Sequence, residues 1–351
     1  MTKEQIYLDH AATTMMVAPA IEAMSSALSS WANPSSPHLT GRAARALLED
    51  ARHRIKSALD WDGELIFTSG ASEAIYTALK GKSHIQLSAV EHDAVLSAGK
   101  LADKSQIIGV DEQGQVNINT LSPCDMVAVQ QVNNETGIIQ NTDDIMAWAK
   151  ENGALFFCDA SQGAGKLPLP LAHMIAISGH KLGGPPGIGA LLVKNLGRLS
   201  PTGGQEQGYR RGTENLPAIL GFAAAIEAGF EWTANIAAMR DRLDSAILSH
   251  GGQIIGQSGN RLSTISSYRL PGVSSSAQLI HYDMAGIAVS AGSACSSGTL
   301  KASHVLTAMG HDMKSAGEVV RVSLGHNSKM SDVDAFINSW IKLSSRHYDK
   351  K

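Results

Sequence analysis

Along the chain, short runs of apolar residues alternate with stretches in which apolar positions recur every three or four residues. The short runs fall at 64–67, 84–87, 107–110, 126–132, 154–158, 174–178 and 190–193. Each has the length and near-continuous apolar character of a buried strand. Helix-like stretches lie between most of them. Ala44, Leu47, Leu48, Ala51, Ile55 and Leu59 follow helical spacing, as do Ile145, Trp148 and Ala149. This alternation predicts an α/β layer fold with a mostly parallel central sheet. Pro217 opens a helical stretch through 223–228 and on to 243–248, long enough to carry the chain from one domain to the next. Beyond it, strands are predicted at 261–268, 288–290 and 319–324. Ser331-Asp332-Val333-Asp334 has the form of a capping box, with Val333, Phe336, Ile337, Trp340 and Ile341 on the buried face of the helix it opens.

Length and charge narrow the picture. A chain of 351 residues exceeds one ordinary core, so one large and one smaller domain are expected. The 29 basic side chains nearly balance the 32 acidic ones, which gives no reason to expect a nucleic-acid or anionic-membrane partner. Cys124, Cys158 and Cys295 stand far apart with no CxxC pair, which suits a reducing compartment and offers no metal site. No apolar run approaches the roughly 20 residues of a membrane span, and the first residues lack a signal-peptide core. A soluble, cytoplasmic protein is expected.

In open α/β sheets, ligands bind beyond the carboxyl ends of the strands, so the residues that follow each apolar run carry the interest. After the first run, Ser69-Gly70-Ala71-Ser72 turns into a helix whose free N–H groups favour an anion such as a phosphate; Ser72 as a plain N-cap is the alternative. Asp159 ends an apolar strand and needs a cationic or donor partner there. A protonated pyridine nitrogen, as in pyridoxal 5'-phosphate (PLP) sites, would serve, and a turn-capping aspartate is equally open. Lys181 stands between a buried strand and the loop Leu182-Gly183-Gly184-Pro185-Pro186. A Schiff-base lysine must be partly desolvated so that its amine is neutral; a solvated loop lysine is the ordinary alternative. Ser178 and His180 beside it can both donate to a phosphate. Cys295 sits in Ala291-Gly292-Ser293-Ala294-Cys295-Ser296-Ser297-Gly298, among small and polar residues where a structural cysteine would have apolar neighbours. That setting favours a reactive thiol on a mobile segment. Cys124 and Cys158 read as structural. His92 and Asn134 each follow a strand, where such residues often just satisfy local backbone groups, and Arg321 lies inside an apolar strand, where its planar fork suits the carboxylate of an amino acid or, equally, a structural ion pair.

In order and spacing, these motifs resemble the cysteine desulfurases of the NifS/IscS type, within the class V aminotransferase family. The resemblance runs from Ile6-Tyr7-Leu8-Asp9-His10-Ala11-Ala12-Thr13-Thr14 to Arg321-Val322-Ser323-Leu324-Gly325 and includes Asn33-Pro34-Ser35-Ser36 and Arg210-Arg211-Gly212-Thr213-Glu214-Asn215. It implies the PLP-dependent transferase fold type I. A large domain would span 14–233, and a small one, carrying the catalytic cysteine loop, would take 1–13 and 234–351. It implies that Lys181 links covalently to PLP, that His92 stacks on the ring and helps move protons, and that Asp159 pairs with the pyridine nitrogen. Gln162 would bond the ring hydroxyl, and Ala71, Ser72, Ser178 and His180 would hold the phosphate. Thr213 would reach the phosphate of the other subunit of a homodimer. Asn134 and Arg321 would bind the carboxylate of L-cysteine, and Cys295 would take its sulfur as a persulfide, leaving L-alanine. An acceptor, such as a scaffold protein for iron–sulfur clusters, would then receive that sulfur. Another PLP reaction on the same fold (transamination or selenocysteine lysis) and a non-catalytic scaffold relative are the alternative readings. The chain departs from the family pattern at Met15, Pro186, Lys301-Ala302 and His326.

Overall fold

The apolar runs become strands of one sheet. In the computed structural model, which describes residues 5–29, 32–292 and 303–348, the strands are β1 (Ile6–Tyr7), β2 (Glu64–Thr68), β3 (His84–Ser88), β4 (Lys104–Ile108), β5 (Met126–Ala128), β6 (Leu155–Asp159), β7 (Met174–Ser178), β8 (Gly189–Val193), β9 (Gln253–Ile254), β10 (Ile265–Arg269), β11 (Ile287–Ala288) and β12 (Val319–Ser323). Seven of them form the central sheet in the order β2-β8-β7-β6-β5-β3-β4. The pairings among β3, β4, β5, β6 and β7 are parallel, whereas β8 is antiparallel to both of its neighbours.

The period of two along these strands feeds two cores. Phe67, Phe156, Cys158, Ile175, Ile177 and Leu192 pack on one face with Leu48, Ile55 and Phe222. Ile66, Phe157, Met174, Ala176 and Leu191 pack on the other with Ile75, Leu79 and Val95. Helices therefore cover both faces, which is why the strands read as unbroken apolar runs. Fully burying one such Phe or Ile side chain stabilises the fold by about 1.5–3 kcal/mol.

A third core surrounds Leu8, Tyr268, Tyr282, Phe336 and Trp340. It joins a three-stranded antiparallel sheet, β12-β10-β9, to the helices Thr233–Ser249 and Met330–Tyr348. β1 pairs in parallel with β11, and the Leu8 N–H donates to the Ala288 carbonyl at 2.9 Å. The first strand of the chain is thus bound to its last third. No helix among the described residues is long and apolar enough to cross a membrane.

Four expectations shift. The run at 107–110 becomes β4 at Lys104–Ile108, and Ile107 is exposed. This is an edge strand, and its largely wet faces put polar Lys104, Ser105 and Gln106 outside the apolar pattern. The run at 126–132 is regular only to Ala128, because the chain beyond it bends into the site. The long helix is two, Leu216–Glu227 and Thr233–Ser249. Gly229 breaks it with φ 77°, a left-handed conformation that ends helices, and a Cβ there would stand 2.4 Å from a Glu231 carboxylate oxygen. The last helix begins at Met330, one residue before the expected capping box. Asp332 reaches back to accept the Lys329 N–H at 2.8 Å, satisfying a donor that the first turn leaves free.

Candidate active site

The carboxyl ends of β2, β3, β5, β6 and β7 open on one cavity of about 490 Å³. Its lining includes Ala71, Ser72, His92, Asn134, Asp159, Gln162, Ser178, His180, Lys181 and Arg321. Residues between 71 and 181 thus meet because parallel strands all end at the same edge of the sheet, and Arg321 joins them from β12 of the separate antiparallel sheet. A space of this size suits a cofactor with a small substrate.

One wall is a helix start. β2 ends at Thr68, and Gly70, with φ 154°, leads into the helix Ala71–Leu79. No heavy atom lies within 4 Å of where a Gly70 Cβ would stand, so this turn opens on free space. The Glu73 carboxylate accepts the Ser69 N–H at 2.5 Å and braces the turn. Next to it, Gly189 has no room for a side chain: a Cβ would stand 2.6 Å from the Ile177 carbonyl oxygen and 2.8 Å from the Gly70 Cα. β8 can pass between β2 and β7 at the cavity floor because residue 189 is glycine.

Lys181 lies in a single helical turn after β7 and is only partly exposed. Its amine donates to the carbonyl oxygens of Ala11 and, at 2.6 Å, Ala12. Burial, with the positive charges of Arg321 and Lys166, pushes its pKa down to about 7. An amine in this setting is neutral in a large fraction of molecules near neutral pH, which makes it a nucleophile toward aldehydes.

Asp159 closes β6 and is 7% exposed. One of its oxygens accepts two bonds from Ser161, from N–H at 2.9 Å and from the hydroxyl at 2.5 Å. Gln162 donates through Nε2 to the Ala11 carbonyl at 2.8 Å, and its buried Oε1 has no partner. His92 caps the helix Asp93–Gly99, and its Nδ1 accepts the Ala94 N–H at 3.1 Å. In the neutral ring the proton therefore sits on Nε2. His180 is placed by a 3.1 Å contact between Nδ1 and the Thr13 hydroxyl. Burial and the neighbouring Lys181 charge lower its pKa to about 4.

Arg321 is 5% exposed in β12. Its Nη2 donates to the Asp9 carboxylate at 2.7 Å and its Nη1 to the Asn134 carbonyl at 2.9 Å, while Nε has no partner. The structure thus joins Arg321 and Asn134 directly. Thr213 is exposed and does not line the cavity of its own chain. Cys295, with Lys301 and Ala302, lies outside the described residues, whereas Gly292 on the near side lines the cavity. Cys158 is fully buried, and burial pushes its thiol well above the usual range; Cys124 is half-buried and bonded to the Met126 carbonyl at 3.3 Å. Both are packing residues. Among the described residues, no group of three or more His, Cys, Asp or Glu stands where it could hold a metal ion.

Sequence reasoning passed over several groups that shape this site. The Ala11 and Ala12 carbonyls hold Lys181, and Asp9 holds Arg321. The acidic Asp9 directly after the apolar run Ile6-Tyr7-Leu8 was the available signal, of the same kind as Asp159 after β6. Gln130 also lines the cavity. Nothing in its local pattern marks it.

Residues 6–336 match the family described as aminotransferase class-V. A cysteine desulfurase of Gluconacetobacter diazotrophicus is 37% identical over 366 aligned positions, covering 95% of this chain and 92% of that protein. A putative cysteine desulfurase of the IscS type from Bacillus subtilis is 36% identical, covering 92% of this chain and 94% of that protein. Among solved structures, a NifS-like protein from Rickettsia africae superposes with a TM-score of 0.90 at 30% identity, covering 97% of this chain and 99% of the other.

Proposed function

We propose, from the premise that the chain belongs to the class-V aminotransferase family, that it is a PLP-dependent cysteine desulfurase. The observation that carries this reading is Lys181: a shielded amine, with its pKa pushed down to about 7, at the carboxyl edge of a largely parallel sheet and facing Asp159 and Gln162 across one cavity.

The residues present fit the cofactor. Asp159 is a shielded carboxylate suited to a pyridinium nitrogen, the unpartnered Oε1 of Gln162 suits the ring hydroxyl, and the start of the helix Ala71–Leu79 with Ser72, Ser178 and His180 suits a phosphate. When bound, PLP supplies an electron sink that lets an amino acid lose its α-proton. Lys181 would hold the cofactor by a covalent link and exchange it for the substrate amine. His92, with its proton on Nε2, would cover the ring and give or relay a proton. Arg321 would receive the substrate carboxylate with Asn134. Its free Nε and its bond to the Asn134 carbonyl support that pairing, and Asp9 would hold the other end of the fork.

The sulfur step balances without an outside oxidant or reductant. The Cys295 thiolate forms a bond to the substrate sulfur as the substrate Cβ–S bond breaks; L-cysteine becomes L-alanine and Cys295 becomes a persulfide. That sulfur would then pass to an acceptor, as in supply for iron–sulfur cluster assembly. Thr213, exposed on its own chain, suits the phosphate of a second copy, and we read the functional unit as a homodimer. The separate core around Leu8, Tyr268 and Trp340 supports dividing the chain into a large domain, 14–233, and a small one, 1–13 with 234–351.

The direct assay is amino-acid analysis after incubating the PLP-loaded protein with L-cysteine and a thiol. Alanine and sulfide in equal amounts support the reading. A keto acid in place of alanine would instead identify a transaminase, and a protein that takes up no PLP would identify a non-catalytic relative.

A further inference from the structure

Glu135 is 4% exposed and follows Asn134 in the turn beyond β5. Its backbone is pinned on both sides. The Asn133 side-chain oxygen accepts the N–H groups of Glu135 at 3.0 Å and Thr136 at 2.8 Å, and the Ser267 hydroxyl donates to the Glu135 carbonyl at 2.7 Å. The Ser303 hydroxyl donates to Glu135 Oε2 at 2.5 Å, and a Cβ on Gly292 would stand 2.3 Å from the same oxygen. That imagined Cβ would also lie 3.6 Å from the Ser303 Cβ. The residues flanking 293–302, a segment that contains Cys295, therefore meet at one carboxylate oxygen. On the far side the stem is tied further. Ser303 accepts the Leu306 N–H at 3.1 Å as it caps the helix His304–Ala308, and the His304 ring lies 2.9 Å from the carbonyl of Glu91, the residue before His92.

Resting on the desulfurase reading above, we propose that Glu135 is a positioning residue for sulfur transfer: its carboxylate clamps Gly292 to Ser303 and so sets the stem on which Cys295 is mounted. The placement explains why a charged group is buried beside, and not in, the cavity. A Cβ at residue 292 would push against the Glu135 carboxylate, so a substitution there must displace it. Arg321 bonds the carbonyl of Asn134, the preceding residue, so substrate-carboxylate binding and the cysteine stem share one rigid turn.

The test uses the PLP-loaded protein and the variants Gly292→Ala, Ser303→Ala and their double, with Glu135→Gln as a near-isosteric control that keeps an oxygen for Ser303. The first readout is the rate at which iodoacetamide labels Cys295, followed by mass spectrometry of its peptide; the second is alanine formation. Each single variant should shift the labelling rate by about threefold or more and slow alanine formation about tenfold. For Ser303→Ala the KM for L-cysteine should move less than about twofold, because the substrate contacts are untouched. Since both changes break one contact, the double variant should be no worse than the worse single, and Glu135→Gln should stand closer to the unaltered protein than either. Unchanged labelling in both single variants, or fully additive losses, would overturn the clamp. A protein that makes no alanine before any substitution would sink the desulfurase reading instead, and the labelling rates would still decide the clamp.

Discussion

Lys181 and Asp159 show how far a side chain's chemistry depends on what the fold puts around it. In the sequence each had an ordinary alternative, a loop lysine and a turn cap. The structure gives Asp159 the Ser161 bonds of a capping turn together with a place on the cavity wall, so the turn and the proposed cofactor contact are compatible. For Lys181, burial outweighs the nearby Asp9 and Asp159 charges, which act in the opposite direction. The lowered pKa has a measurable sign. Capture of an aldehyde needs the neutral amine, so PLP uptake by the cofactor-free protein should quicken as pH rises through about 7 and level off above about 8. Stopped-flow absorbance across that range checks it. A rate still climbing toward pH 10, near the ordinary lysine value of about 10.4, would show a solvated Lys181. Arg321 was legible as a buried fork seeking a carboxylate, but its partnership with Asp9 was not. The two lie 312 positions apart, and the pairing of β1 with β11, the bridge from Asp9 to Ser323 and the pairing of Ser290 with Arg321 bring them together.

Strands were easier to read than the turns that follow them. Where a strand is buried on both faces, as in β6 and β7, the apolar run and the element nearly coincide. Where both faces are largely wet, as in β4, the signal shifts, and where a glycine ends a helix in mid-pattern, as Gly229 does, helical periodicity alone carries past the break. Steric limits at strand ends were not legible, since they depend on what packs alongside. Gly189 is the sharpest case, because its missing Cβ lets β8 pass against the Ile177 carbonyl and Gly70. Gly189→Ala should therefore lower stability by about 1–3 kcal/mol and also displace the helix start at Ala71. Urea denaturation together with a PLP titration would detect both effects. An alanine variant with unchanged stability and PLP affinity would mean that this close approach is relaxed in solution.

At the scale of the molecule, the parallel sheet does the gathering and β12 of the smaller sheet supplies Arg321. The proposed homodimer is the part that a single chain leaves to chemistry, and Thr213 makes it testable. If Thr213 bonds the phosphate in the other copy, Thr213→Ala should weaken PLP binding by about 1.5–3 kcal/mol, or roughly 10- to 100-fold. Hybrids of a Lys181→Ala chain and a Thr213→Ala chain should then contain one fully intact site and recover activity that neither parent has. Hybrids that recover nothing would place Thr213 in its own chain's site. The proposed passage of sulfur from L-cysteine onto Cys295 can be tested apart from the dimer. The most direct measurement is the mass of the Cys295 peptide after the PLP-loaded protein meets L-cysteine with no acceptor present, read beside the alanine formed. The account predicts one added sulfur atom on that peptide and one alanine per site, with neither the added sulfur nor burst alanine in Cys295→Ser. Alanine released at the same rate by Cys295→Ser, or a Cys295 peptide that gains no sulfur, would contradict it.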